Sequence, residues 1–209
     1  MKEEETFGAL VLGIGNVLWA DEGFGVRAVE ALHDTYAFPP EVRLVDGGTQ
    51  GLYLLNAVMA TPRLIIFDAI DYGLPAGTLK VLRNAEVPAW GAVKMSMHQT
   101  GFQELLALAK LRDRCPASML LVGVQPEDIS DFGGSLRDCV RARIPEAIAI
   151  AAAQLAGWGL KPRPREAPPK ERLNAPSLAL ESYESLRPAP DAACRGGDAR
   201  FLNLRMEPR

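Results

Sequence analysis

At 209 residues the chain can build one domain with a substantial core and carry an appendage. Hydrophobic residues make up 48%, charged 23% and aromatic 7%, as in ordinary globular proteins, and a formal net charge of −3 leaves no basic footprint for nucleic acid. Three cysteines without a C-x-x-C pair (Cys115, Cys139, Cys194) argue against a disulfide framework and a zinc knuckle. The charge is unevenly spread: residues 161–209 carry 10 Lys/Arg against 7 Asp/Glu, and the first 160 carry 13 against 19. The acidic body suits cation binding, although such carboxylates commonly only solvate a surface. The opening MKEEETFG lacks the apolar stretch of a secretory leader, and no apolar run reaches membrane-spanning length. A cytoplasmic protein with no membrane partner is expected.

Ala9–Ile14 reads as a buried first strand ending at Gly15-Asn16. Gly25–Tyr36 then sets Val29, Leu32, His33 and Tyr36 on one helical face. Pro39-Pro40 breaks the chain before a second strand, Val42–Val45, closed by Asp46-Gly47-Gly48. A short helix follows over Leu52–Met59, then a third strand, Leu64–Phe67, ending at Asp68. Thr78–Leu82 follows too closely for a helical crossover and is expected as an antiparallel edge strand. Thr100-x-x-Gln103 reads as a capping box for a helix with Phe102, Leu105, Leu106 and Ala109 on its apolar stripe. Met119–Val124 is the fifth strand. Ser135-x-x-Asp138 reads as the cap of a long final helix lined by Val140, Ile144, Ala147, Ile148, Ala151 and Leu155. Alternating apolar strands and helices predict a three-layer α/β fold, a mostly parallel sheet covered on both faces. The folded domain is expected over residues 8–160. Residues 161–209 hold 8 of the 16 prolines without periodicity and read as a weakly ordered Pro/Arg-rich tail.

In such a sheet, ligands gather beyond the carboxyl ends of the strands. Asp21 and Glu22 follow the first strand, Asp46 ends the second, Asp68 ends the third, and His98 stands two residues before the Thr100 cap. Carboxylates crowded at about 4 Å repel by kilocalories per mole at effective dielectrics near 20, and a divalent cation relieves that conflict. Oxygen and imidazole donors suit nickel, zinc, manganese or iron without choosing among them. Each residue also has a plainer reading: a loop hydrogen bond for His98, turn or capping roles for the acids, a structural place for His33. As site residues, Asp68 and His98 are expected to be solvent-exposed. Gly13-x-Gly15 lacks the third glycine of a dinucleotide fingerprint and would set Asp21 and Glu22 against a pyrophosphate. No G-x-S-x-G elbow supports a nucleophilic serine.

The segments LGIGNVLWADEGFGV, VDGGTQG, IIFDAI, PAGTLKVLR, SMHQTG and LVGVQPE, in this order across residues 9–157, resemble the hydrogenase maturation endopeptidase family, most closely its uptake-hydrogenase type. The resemblance implies a five-stranded twisted sheet between helices and three metal ligands that map onto Glu22, Asp68 and His98. It implies an endopeptidase that removes the C-terminal peptide of the nickel-loaded large-subunit precursor of a [NiFe] hydrogenase. The nickel would come with the precursor, although another divalent metal is able to occupy such a site. Asp21 stays a candidate for orienting or activating water, and Asp46 for shaping the cleft. Trp19, Trp90, Met95 and Met97 flank the site in sequence and are candidates for precursor contact or for packing. Competing readings are a non-catalytic chaperone of the nickel centre and a metallohydrolase with a resident ion.

Overall fold

Backbone N–H and C=O groups taken out of water must find partners, so apolar runs of six or seven residues pair as strands. The computed structural model describes residues 6–89 and 97–185. In chain order these are β1 (Ala9–Ile14), a 3-10 turn (Ala20–Gly23), α1 (Phe24–Thr35), β2 (Tyr36–Ala37), β3 (Val42–Gly48), a second 3-10 turn (Gly51–Leu54), α2 (Leu55–Met59) and β4 (Arg63–Ala69). There follow β5 (Leu79–Arg83), α3 (Glu86–Ala89), α4 (Met97–Leu111), β6 (Ser118–Val124), α5 (Asp138–Arg141), α6 (Ile144–Gly157), β7 (Arg163–Pro164) and α7 (Leu180–Ser185). The main sheet has the order β3-β1-β4-β6-β5. Four strands run parallel, and β5 lies antiparallel to β6 at the edge, as its short connection to β4 predicted. The three-layer α/β fold expected from the sequence is the one observed.

Each face of the sheet carries its own core. Val11, Ile65, Phe67 and Val122 pack with Val29 and Leu32 of α1 and with Ala147, Ala151 and Leu155 of α6. Leu10, Leu12, Leu64, Ile66 and Leu121 pack on the other side with Val58 of α2 and Phe102, Leu105 and Leu106 of α4. The strands are therefore buried on both faces, which is why they read as continuous apolar runs.

Three elements differ from their predicted form. α4 begins at Met97, so Thr100 lies inside its first turn and His98 is helical; no glycine or proline between Met97 and Thr100 stops the helix earlier. The long final helix is two, α5 and α6. Pro145 lies in the first turn of α6, where its missing N–H costs nothing, and the helix starts there. Ser135 caps neither: its hydroxyl donates to Glu184 Oε1 at 2.6 Å, and Arg137 holds the N-cap position of α5 without a side-chain capping bond.

Residues 163–185, expected within the tail, follow the surface of the domain. β7 pairs antiparallel with β2, and Leu173 packs against the α1–α6 core. The Arg27 guanidinium donates to the Leu178 carbonyl, Arg172 pairs with Asp34, and Glu184 pairs with Arg141. These anchors are single side chains at irregular spacing, a pattern with no period to read. Residues 186–209 lie outside the described chain.

Candidate active site

The strand order opens a crevice where chemistry can sit. From β1 the chain passes through α1 to β3 on one side; from β3 it crosses to β4 on the other side of β1. β4 continues outward to β6. Neighbouring strands whose connections leave in opposite directions part at their carboxyl ends, and ligands of open α/β sheets occupy that gap. α1 starts directly over it. A Cβ on Gly25 would lie 2.1 Å from the Ile14 carbonyl oxygen and 2.3 Å from that of Phe67, so glycine alone permits this approach.

Asp68 stands at the carboxyl end of β4 and is 0% exposed, contrary to the exposed position expected for it. Its direction follows from strand alternation. Leu64 and Ile66 face the α2–α4 core and Ile65 and Phe67 the α1–α6 core, so Asp68 continues the first set. Tyr72 belongs to that same side, and burial together with the Asp68 charge pushes its hydroxyl pKa upward. Glu22 is half-buried in the 3-10 turn Ala20–Gly23. That turn closes on the end of β1: a Cβ on Gly15 would lie 1.8 Å from the Glu22 carbonyl oxygen. His98 lies in the first turn of α4, three residues before Gly101, where a Cβ would meet the Gly51 Cα at 3.6 Å. Gly51 follows β3, so the start of α4 reaches the same rim, on the face of the sheet that Asp68 takes. The His98 side chain itself lies outside the described residues. Among the described residues no group of three His, Cys, Asp or Glu side chains is arranged to hold a metal ion.

Asp21, adjacent in sequence to Glu22, has a different environment. Its carboxylate is 0% exposed and accepts three backbone N–H bonds: Glu127 at 2.8 Å and Asp128 at 2.9 Å on Oδ2, and Arg137 at 2.7 Å on Oδ1. Its own N–H donates to the Asp128 carbonyl at 3.1 Å. Asp21 thus clips the loop after β1 to the loop after β6. Asp128 and Asp131 hold Arg137 in turn, at 2.7 and 3.0 Å. A backbone bond from Ser130, then the Arg137 and Ser130 side chains, bring the Asp128 pKa down to about 2.

Asp46 lies where β3 bulges against β1: Gly13 pairs with Asp46 but Ile14 with Gly48. Burial raises its pKa, and Glu30 adds to the rise, while a bond from the Asn174 amide opposes both. That amide spans two acids, donating to Asp46 Oδ2 and to Glu30 Oε1, each at 2.8 Å. Asn174 was not anticipated, because it stands in the aperiodic tail. Asp128 and Arg137 were likewise missed; the QPE segment marked their loop but not their pairing. His33 sits half-buried on α1 with Nδ1 3.6 Å from the Asp34 carboxylate, in keeping with its structural reading. Trp19 is partly exposed and touches Phe132. Trp90, Met95 and the Met97 side chain lie outside the described residues.

The doubly wound sheet with this crevice is the fold of a class of maturation endopeptidases. The hydrogenase maturating endopeptidase HybD of Escherichia coli superposes with a TM-score of 0.72 at 40% identity, covering 75% of this chain and 97% of that one. The [NiFe] hydrogenase maturation protease HybD of Thermococcus kodakarensis superposes with a TM-score of 0.59 at 28% identity, over 70% of this chain and 97% of that one. In sequence the chain is 55% identical over 196 residues to the hydrogenase expression/formation protein HoxM of Cupriavidus necator, covering 92% of this chain and 97% of that protein. The pattern of the hydrogenase maturation protease family matches residues 26–154. The chain belongs to the hydrogenase maturation protease family and is a hydrolase, an endopeptidase of hydrogenase maturation.

Proposed function

We infer that the protein removes the C-terminal peptide from the nickel-loaded large-subunit precursor of a [NiFe] hydrogenase, in the cytoplasm. What supports this reading is the strand order, which parts β1 and β4 at their carboxyl ends, together with Asp68 at the end of β4, the Glu22 turn on the end of β1 and the first turn of α4, which holds His98, at the same rim. Two carboxylates and an imidazole form a donor set for a divalent transition metal. The nickel belongs to the substrate, and Glu22, Asp68 and His98 complete its coordination from the protease side. A precursor without nickel lacks the shared ion and binds poorly, which couples cleavage to correct loading. Hydrolysis then proceeds by water attack on the peptide carbonyl beside the metal. Asp21, with three N–H donors on its carboxylate, holds the rim in shape, and we assign it that task in place of activating water. Among the described residues no helix is long and apolar enough to cross a membrane.

The test is intact-mass analysis of purified precursor, with and without nickel, after incubation with this protein. The nickel-loaded precursor should lose a C-terminal peptide and the nickel-free one should keep its mass. Unchanged mass in both, with binding retained, would establish the chaperone reading instead. Cleavage of the nickel-free precursor at an equal rate would remove the shared-ion mechanism.

A further inference from the structure

Nine large apolar side chains are exposed among the described residues, and seven stand in the loops leaving the carboxyl ends of β1, β3, β4 and β6. Only Leu111, at the far end of α4, and Leu178 lie elsewhere. Scattered exposed leucines need no explanation, but their concentration around one crevice does. The densest group joins two loops. Trp19 and Phe132 meet edge to face, with centroids 5.2 Å apart and planes at 61°, and form an isolated antiparallel bridge through their backbones. Leu18 and Ile129 stand beside them, 44% and 41% exposed.

This platform is rigid. The Gly133 N–H donates to the Leu18 carbonyl at 2.7 Å, and the Asp21 carboxylate ties the same two loops with three further bonds. A pre-formed apolar surface loses little conformational entropy when a partner covers it. It also adjoins the crevice, since the Glu22 N–H donates to the Trp19 carbonyl at 2.9 Å. Its border is acidic: in residues 15–23 and 125–138, Glu127 and Asp138 are exposed and Glu22 and Asp128 half-buried, against a single Arg137. Arg137 is already engaged by Asp128 and Asp131. A matching surface would set apolar side chains on the rings and cationic groups on the border.

We propose that the Trp19–Phe132 platform is the docking surface for the hydrogenase precursor, engaging an apolar segment flanked by basic residues beside the nickel centre. This rests on the reading that the precursor is the substrate. The platform supplies binding energy outside the metal site, and the acids Glu127 and Asp138, both exposed, set the orientation.

The experiment measures binding of nickel-loaded precursor to the full chain by biolayer interferometry, with cleavage followed in parallel by intact mass. Phe132→Ser and Ile129→Glu should each weaken Kd by about ten-fold or more, as removal of a central interface anchor does. Both side chains are exposed, and Ile129 lies outside the ring pair, so the second variant keeps the test valid if the first perturbs the loop. Leu111→Ser, 81% exposed at the opposite end of the domain, serves as a control and should leave Kd unchanged. Wild-type Kd should also weaken as salt rises from low to physiological ionic strength, because the border charges are screened. Equal Kd for wild type and both platform variants would overturn the proposal. So would a wild-type dimer in light scattering that Phe132→Ser converts to monomer with Kd unaltered, since a second copy would then be the occupant. Weakened binding in a system where wild type cuts nothing would keep the platform and remove the peptidase reading.

Discussion

Asp21→Asn separates a structural carboxylate from a catalytic one. The side chain is completely buried and accepts three N–H bonds, two on one oxygen and one on the other. Asparagine keeps the shape but has a single acceptor oxygen, and its NH2 must face at least one of the former donors. In the gentler orientation the oxygen keeps Glu127 and Asp128 while the Arg137 N–H loses its acceptor. Bonds to charged groups contribute about 1.5–3 kcal/mol each, and neutral ones roughly half as much. One bond lost and two weakened give a destabilisation of about 3–5 kcal/mol. For a protein of this size each kcal/mol moves the Tm by about 2–4 °C, so the melt should fall by roughly 6–20 °C. Circular-dichroism melts of the two proteins under identical conditions give the stability readout. Amide exchange at Glu127, Asp128 and Arg137 gives a local one, with protection expected to drop at all three. Processing of nickel-loaded precursor should persist below the new melting point at a reduced rate. A Tm within about 1 °C of wild type together with complete loss of processing would refute the assignment and return Asp21 to the role of base.

Other expectations follow from the same geometry. Asp128, with a folded pKa of about 2 against 3.8 unfolded, contributes stability present above pH 3.8 and lost as pH falls from there toward 2. Asp128→Asn should therefore melt below wild type at pH 5, with the gap closing by pH 2; a constant gap would show that the charge is immaterial. Gly15→Ala would place a Cβ 1.8 Å from the Glu22 carbonyl oxygen at a φ of +135°, and should cost more than about 3 kcal/mol, read as a collapsed melt or insoluble protein. Deleting residues 163–209 should leave a cooperative fold, because the sheet and its helices are complete by Gly157, while lowering stability by about 2–4 kcal/mol through loss of the Arg27, Leu173 and Asn174 contacts. An unchanged melt would show these contacts to be idle. Asp68→Asn and His98→Ala should abolish precursor cleavage by intact mass with the fold retained by circular dichroism, and normal cleavage by either would end the ligand assignment.

The sheet was legible because each strand is a short apolar run bounded by Gly, Pro or Asp, and because both faces are covered. β1 was read to its last residue, and the edge placement of β5 came from connection length alone. Helix ends were less legible, since what decides them is local competition. Pro145 splits the final helix although the apolar period runs on through Val140, and α4 starts before its apparent capping box. The course of residues 163–185 was illegible for a different reason. Their hold on the body comes from Arg165, Arg172, Asn174 and Glu184 reaching partners more than 40 residues away, and such pairs leave no mark in a local window.

Asp21 and Glu22 show why the site was only half readable. Both acids follow the same strand, and nothing in their sequence neighbourhood distinguishes them. Their difference comes from a loop more than 100 residues later, which points three N–H groups at one carboxylate and none of these at the other. A carboxylate held by three fixed donors cannot easily turn to a metal. Its neighbour Glu22 is half-buried in the 3-10 turn that closes on the end of β1. The division of labour is thus set by the closing of the loop after β6 onto the loop after β1, and it carries a physical consequence. The clip that fixes Glu22 in place is the one that stiffens the Trp19–Phe132 platform, so loosening the clip at Asp21 should degrade metal approach and precursor docking together. Loosening the platform at Ile129 should degrade docking alone.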